Sequence, residues 1–115
     1  MDQLKRTIEA AWDNRDLLNL EETRKEIRTV IELLDKGKLR VAQQEGDDWI
    51  VNEWVKKAVI LYFPIQQMET IEVGPFEWHD KIALKKSFAE QGVRSVPHAV
   101  ARYGSFLEAG VIMMP

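Results

Sequence analysis

Val100-Ala-Arg-Tyr-Gly-Ser-Phe106-Leu-Glu-Ala-Gly-Val-Ile112-Met-Met-Pro115 carries large apolar residues at 100, 106 and 112, with Gly104 and Gly110 between them. Self-similarity at a six-residue period is the mark of a parallel β-helix, in which each hexad supplies a short strand and a corner. On that reading Val100, Phe106 and Ile112 point inward and the glycines occupy tight corners. An ordinary hairpin satisfies the same alternation, and two and a half hexads leave both readings open. The rest of the chain has to decide between them.

Working outward, the 115 residues suffice for one domain, with 45% apolar and 30% charged residues. The net charge of −3 speaks against nucleic acid, which normally requires a basic stripe. The longest apolar run, Ala58-Val-Ile-Leu-Tyr-Phe63, falls far short of the ~20 residues that span a bilayer. Met1-Asp-Gln-Leu-Lys-Arg6 opens an amphipathic helix rather than a signal peptide, so a cytoplasmic protein is expected. With no cysteine, disulfides, thiolate metal sites and a cysteine nucleophile are excluded.

Leu4, Ile8, Ala11 and Trp12 predict a first helix over about 3–13, and Asp13-Asn-Arg-Asp16 breaks it. A second helix is expected over about 21–36, with Ile27, Val30, Ile31 and Leu34 as its buried face and Gly37 as its stop. These two pack as an antiparallel pair. Leu39–Gln44 and Trp49–Val51, separated by Glu45-Gly-Asp-Asp48, read as a hairpin. Asn52 is placed to cap a third helix over about 53–63, ended by Pro64. From Gln66 to Ile82 the pattern is irregular around a Gly74-Pro75 turn. Lys85–Gln91 suggests one or two helical turns closed by Gly92, and Val93–Pro97 an extended lead into the hexads.

Four collinear blocks carry a resemblance. They are Val30-Ile-Glu-Leu-Leu-Asp-Lys-Gly-Lys-Leu-Arg-Val-Ala42, Trp49-Ile-Val-Asn-Glu-Trp-Val-Lys-Lys-Ala-Val-Ile-Leu61, the Asp80-Lys81 pair, and Gly92-Val-Arg-Ser-Val-Pro97. Together they resemble the N-terminal domain of the tetrahydrodipicolinate N-succinyltransferase family. The resemblance implies an α+β fold: a small helical and hairpin domain over 1–98, then the first rungs of a left-handed parallel β-helix over 99–115. It further implies a homotrimer that transfers succinyl from succinyl-CoA to the amine of ring-opened tetrahydrodipicolinate, in lysine and diaminopimelate synthesis. The dicarboxylate then binds where subunits meet, and CoA lies along the β-helix. Full-length family members continue well beyond this point. Catalytic and CoA-binding groups are accordingly expected outside this segment, which on this reading binds no cofactor or metal itself. A non-catalytic folding or oligomerisation module and a related N-acetyltransferase are the alternatives.

Arg94 matches the arginine of the family's Gly-x-Arg-x-Val-Pro motif, which implies a ligand for a substrate carboxylate. A planar guanidinium grips a carboxylate bidentately and stays charged at any working pH. Arg102 matches a basic position in the first hexad and could line the same pocket, meet a neighbouring subunit or be a solvated corner. Asp80 and Lys81 read as a loop-fixing ion pair. His79 and His98 lie in separate segments without metal-ligand spacing. Core packing is expected for at least three of Trp12, Trp49, Trp54 and Trp78, and Lys56 and Lys57 read as the wet face of the third helix. The connection from Lys85 to Gly92 is shorter than the family pattern, which leaves Lys85 and Lys86 without a role by analogy.

Overall fold

Three apolar stripes meet to form the core. In the computed structural model, which describes residues 1–115, α1 runs Asp2–Asp13, α2 Glu21–Asp35 and α3 Glu53–Tyr62. Each helix packs against the other two. Ile8 and Ala11 from α1, Ile27, Val30, Ile31 and Leu34 from α2, and Val55, Ala58 and Leu61 from α3 close on one another at helical spacing. Residues Arg15–Asn19 form a 3-10 turn between α1 and α2, opened by Asn14, whose side chain accepts the Asp16 N–H at 3.2 Å.

The second helix stops as its sequence requires. Gly37 N donates to Leu34 O at 3.0 Å and Lys38 N to Leu33 O at 2.9 Å, with Gly37 at φ 72°. This pair of bonds is a Schellman closure, which needs a left-handed residue. The same glycine is also a contact surface, because a β-carbon there would stand 2.7 Å from the Phe106 ring.

The first expected hairpin forms between β1 (Ala42–Glu45) and β2 (Asp48–Val51), paired Ala42↔Val51 through Glu45↔Asp48. Asn52 sits at the start of α3, yet its amide does not cap the helix. Its Nδ2 donates to Arg40 O at 2.7 Å and to Gln43 Oε1, fastening the hairpin base. Pro64 lies in a 3-10 turn, Phe63–Ile65, that ends the helical part.

Residues 66–82 depart from the irregular segment expected. They contain a second hairpin, β3 (Glu69–Val73) with β4 (Phe76–Asp80), in register Glu69↔Asp80 through Val73↔Phe76. Gly74, at φ 58°, takes the first position of the two-residue loop, as a II′ turn requires. Residues 85–91 hold a single turn, within the one or two expected, with Gln91 N bonded to Ser87 O, Gly92 N to Ala89 O and Val93 N to Phe88 O. Gly92, at φ 71°, closes it as expected.

The terminal stretch is not a hairpin. Strand β5 (Arg94–Ser95) pairs in parallel with β6 (Ile112–Met113), in register Arg94↔Ile112. The pairing extends through Gly110 N to Gly92 O at 2.8 Å, Arg94 N to Val111 O at 2.9 Å and Val96 N to Met113 O at 3.0 Å. Paired residues are therefore three six-residue beats apart. The phase differs from expectation by one residue. Val100 and Ile112 are 56% exposed and Phe106 37%, whereas Ala101, Leu107 and Met113 are the half-buried set. Period-six spacing fits both sets equally, and only backbone geometry chooses between them.

Candidate functional site around Arg94 and Arg102

Arg94 stands on β5, exposed, immediately after buried Val93. Its backbone is fixed by the parallel pairing, and its guanidinium forms no ion pair within the chain. The strand thus presents an uncommitted, permanently charged bidentate donor to solvent.

Arg102 is committed elsewhere. Its Nη1 meets Asp80 Oδ2 at 2.7 Å, and that hydrogen bond, more than the neighbouring backbone N–H groups, holds the Asp80 carboxyl below its usual range. This corrects the expected Asp80–Lys81 pair. The Lys81 ammonium turns away and donates to Phe63 O at 3.1 Å. The backbone around Arg102 is held by Lys85 N to Ala101 O at 2.9 Å and Tyr103 N to Ala83 O at 2.8 Å. Arg102 also borders an apolar cavity of about 530 Å³ between the helices and the terminal stretch, lined in part by Val59, Ile82, Leu107 and Met113.

The other expected groups scatter. His79 pairs through Nδ1 with Thr70 Oγ1 at 2.9 Å across the second hairpin. His98 lies at φ 81° in the turn that Ala99 N closes onto Val96 O. No three His, Cys, Asp or Glu side chains gather as a metal site. Trp12 and Trp54 pack against the core as expected, but Trp49 is 67% exposed and Trp78 41%. Both exposed tryptophans belong to hairpins with no layer above them. Lys56 is a wet residue paired with Glu53, but Lys57 is not merely wet. Its Nζ reaches Glu9 at 2.8 Å and sits 5.6 Å from the centroid of Trp12, bridging α3 to α1.

One node escaped the sequence reading. Asp35 and Lys85 form a buried pair at 2.6 Å, with side chains 7% and 6% exposed. Lys85 Nζ also donates to Asp35 O, and Gly104 N donates to Asp35 Oδ1 at 2.9 Å. Burial works against ionisation of Asp35, but hydrogen bonds from Lys36, Lys85 and Gly104 outweigh it and hold the carboxyl below its ordinary value. Next to it the Tyr103 hydroxyl donates to Glu32 Oε1 at 2.5 Å. Burial first, and then this bond, raise the Tyr103 hydroxyl well above its usual range. A signal was available: Asp35 falls four residues after Ile31 and eight after Ile27, so a carboxylate lies on the buried stripe and needs a partner.

Fold and site together define a small α+β domain that fastens a parallel strand pair to its helices and offers one free guanidinium beside it. Residues 3–65 match the family described as Tetrahydrodipicolinate N-succinyltransferase N-terminal, and the chain belongs to that family. Its relatives agree. The chain is 41% identical over 125 residues to 2,3,4,5-tetrahydropyridine-2,6-dicarboxylate N-succinyltransferase from Pseudoalteromonas translucida, covering 100% of this chain and 45% of that protein. The like-named protein from Paracidovorax citrulli is 44% identical over 124 residues, with 98% and 45% covered. That from Agrobacterium fabrum is 41% identical, with 97% and 44% covered. The chain spans less than half the length of these curated relatives.

Proposed function

We propose that this chain is the substrate-side, N-terminal portion of a tetrahydrodipicolinate N-succinyltransferase, an enzyme of lysine and diaminopimelate synthesis, and that Arg94 holds a carboxylate of the acceptor. The observation that carries this reading is the unpaired guanidinium of Arg94 in Gly92-Val-Arg-Ser-Val-Pro97, on a strand whose backbone is already fixed. Such a donor positions a dicarboxylate without a reorganisation cost when the substrate arrives. The acceptor amine then attacks the thioester carbonyl of succinyl-CoA. A C–N bond forms, the C–S bond breaks with CoA leaving as its thiolate, and the amine proton passes through a carboxylate base to that sulfur. That base and the CoA groove belong to sequence beyond this segment.

Arg102 is a weaker second ligand on the same reading, because a substrate carboxylate would have to replace Asp80 on it. The parallel pairing at an eighteen-residue offset supports the start of a left-handed β-helix, one triangular coil being three hexads long. On that view the chain divides into 1–98 and 99–115, with strand β5 paired to a strand of the second unit. We also propose a cytoplasmic homotrimer, in keeping with a CoA-dependent biosynthetic family.

The test is kinetic and uses this sequence joined to the remaining length of a relative. Arg94→Ala should raise the Michaelis constant for the acceptor and leave that for succinyl-CoA nearly unchanged. An equal effect on both substrates would remove Arg94 from the acceptor site. Activity with acetyl-CoA but not succinyl-CoA would replace the donor assignment, and no transfer with either would favour a non-catalytic module.

A further inference from the structure

The apolar cavity of about 530 Å³ lies where the helical part and the terminal stretch meet. Ile31 and Leu34 of α2 with Val59 and Tyr62 of α3 form one wall, and Ala101, Leu107 and Met113 form the other. Those last three are the half-buried set of the period-six stretch. The inward positions of that stretch therefore all border one apolar space.

The chemistry of the walls narrows what fits there. Three polar side chains on the rim are already engaged within the chain: Arg102 with Asp80, the Tyr103 hydroxyl with Glu32, and the Ser105 hydroxyl with Arg102 O at 2.7 Å. A small-molecule site sets a few polar groups to orient its ligand, and these are committed elsewhere. Aliphatic side chains of a polypeptide suit the space better, since they need no polar partner.

Backbone pairing says which polypeptide. Strand β6 pairs only with β5, in parallel and at an eighteen-residue offset, and its other edge is open. An open edge is a template for one more strand. In the same register, the residues eighteen places after Ala101 and Leu107 stand over them, as Met113 already stands over Ser95. The chain spans less than half the length of its curated relatives, which leaves ample sequence for such a coil. It also exposes 7929 Å², against roughly 6,500 Å² for a monomer of its 13.4 kDa mass, an excess that a following coil would cover in part.

We propose that this cavity is the lumen of the β-helix, sealed at one end by α2 and α3 and closed at the other by the next eighteen-residue coil of the same chain, whose inward side chains stack over Ala101 and Leu107. The inference rests on the β-helix reading given above and uses no residue assigned to substrate. It makes the helical part an end cap for the solenoid, as terminal units of repeat folds are.

Two substitutions test it, each made in the 115-residue chain and in the same sequence joined to the remaining length of a relative. The chain has no cysteine, so Leu107→Cys gives a single thiol once any cysteine of the added part is replaced by serine. Its reaction with dithionitrobenzoate, referred to the rate in urea, should be at least about a hundredfold slower in the long chain than in the short one. Ala101→Phe should change sign between the two. In the short chain the ring has the cavity to enter, and the urea midpoint should hold or rise. In the long chain the ring meets the next coil, and the midpoint should fall by about 1 M. Equal thiol rates in the two chains, or a fall of equal size from Ala101→Phe in both, overturn the proposal. Protection that disappears on dilution would put a second copy over the cavity and overturns it equally. Acyl transfer by the long wild-type chain is assayed alongside. Transfer without thiol protection defeats this inference alone, whereas protection without transfer upholds it and defeats the function proposed above.

Discussion

All but two of the sixteen buried residues lie before residue 66; the exceptions, Ile82 and Val93, belong to the part that follows. The first part is a helical core held by close-packed aliphatic side chains. The second is held by backbone pairing and a few polar pins: Asp35–Lys85, Asp80–Arg102, and Arg40–Glu108 at 3.0 Å with Arg40 stacked over Phe106. The difference teaches that the candidate site sits on the half with little core of its own. Its geometry depends on how that half is fastened to the other.

Breaking the core should have the largest effect. Leu61→Ala, at a fully buried position of α3, should cost about 3–5 kcal/mol in urea unfolding and melt both halves together. Next comes the fastening. Lys85→Ala removes the buried cation beside Asp35 and leaves it only Lys36 and the Gly104 N–H, at a cost of about 3 kcal/mol. Hydrogen exchange should then accelerate at Arg94, Val96 and Gly110 before it does in α1. Acid probes the same node. The Asp35 carboxyl is depressed in the folded state, so its contribution is complete above the ordinary value of 3.8 and disappears as pH falls through the lower folded one. Terminal-strand amides should therefore lose protection in that acid window before helical ellipticity falls. If both are lost together, the two halves form a single cooperative unit.

Gly37→Ala is intermediate. It strains a left-handed residue and drives a methyl group into the Phe106 ring, so about 1–3 kcal/mol is expected, together with altered Phe106 resonances by NMR. The smallest effect has the opposite sign. His98→Gly relieves a non-glycine residue held at φ 81° and should stabilise by roughly 0.5–1 kcal/mol in the same urea assay.

How much of this was legible follows the same division. Helical periodicity placed α1, α2 and α3 within a residue or two, because burial of one face imposes the pattern read from the sequence. Gly37 and Gly92 announced their closures, since few other residues tolerate the conformation. The β3–β4 hairpin went unseen because its faces are not divided between core and water, and Ile71, Val73, Phe76 and Trp78 simply alternate with acids. The clue was a Gly-Pro loop flanked by two runs of period two. Arg94 could be named from its motif, but its freedom from partners could not. Nor could the engagement of Arg102 by Asp80, twenty-two residues away, because such pairings depend on tertiary geometry that no local pattern encodes.

The parallel register between Arg94 and Ile112 makes the intervening chain a measuring tape. Its length, more than its composition, decides which side chain stands beside the guanidinium. One residue inserted between Pro97 and Gly110 would bring the residue now at 111 alongside Arg94 and turn the following strand over, exchanging its outward and inward faces. Six inserted residues would restore the orientation and lengthen the path by one beat. Substitutions along this loop should therefore be tolerated far more readily than changes in its length.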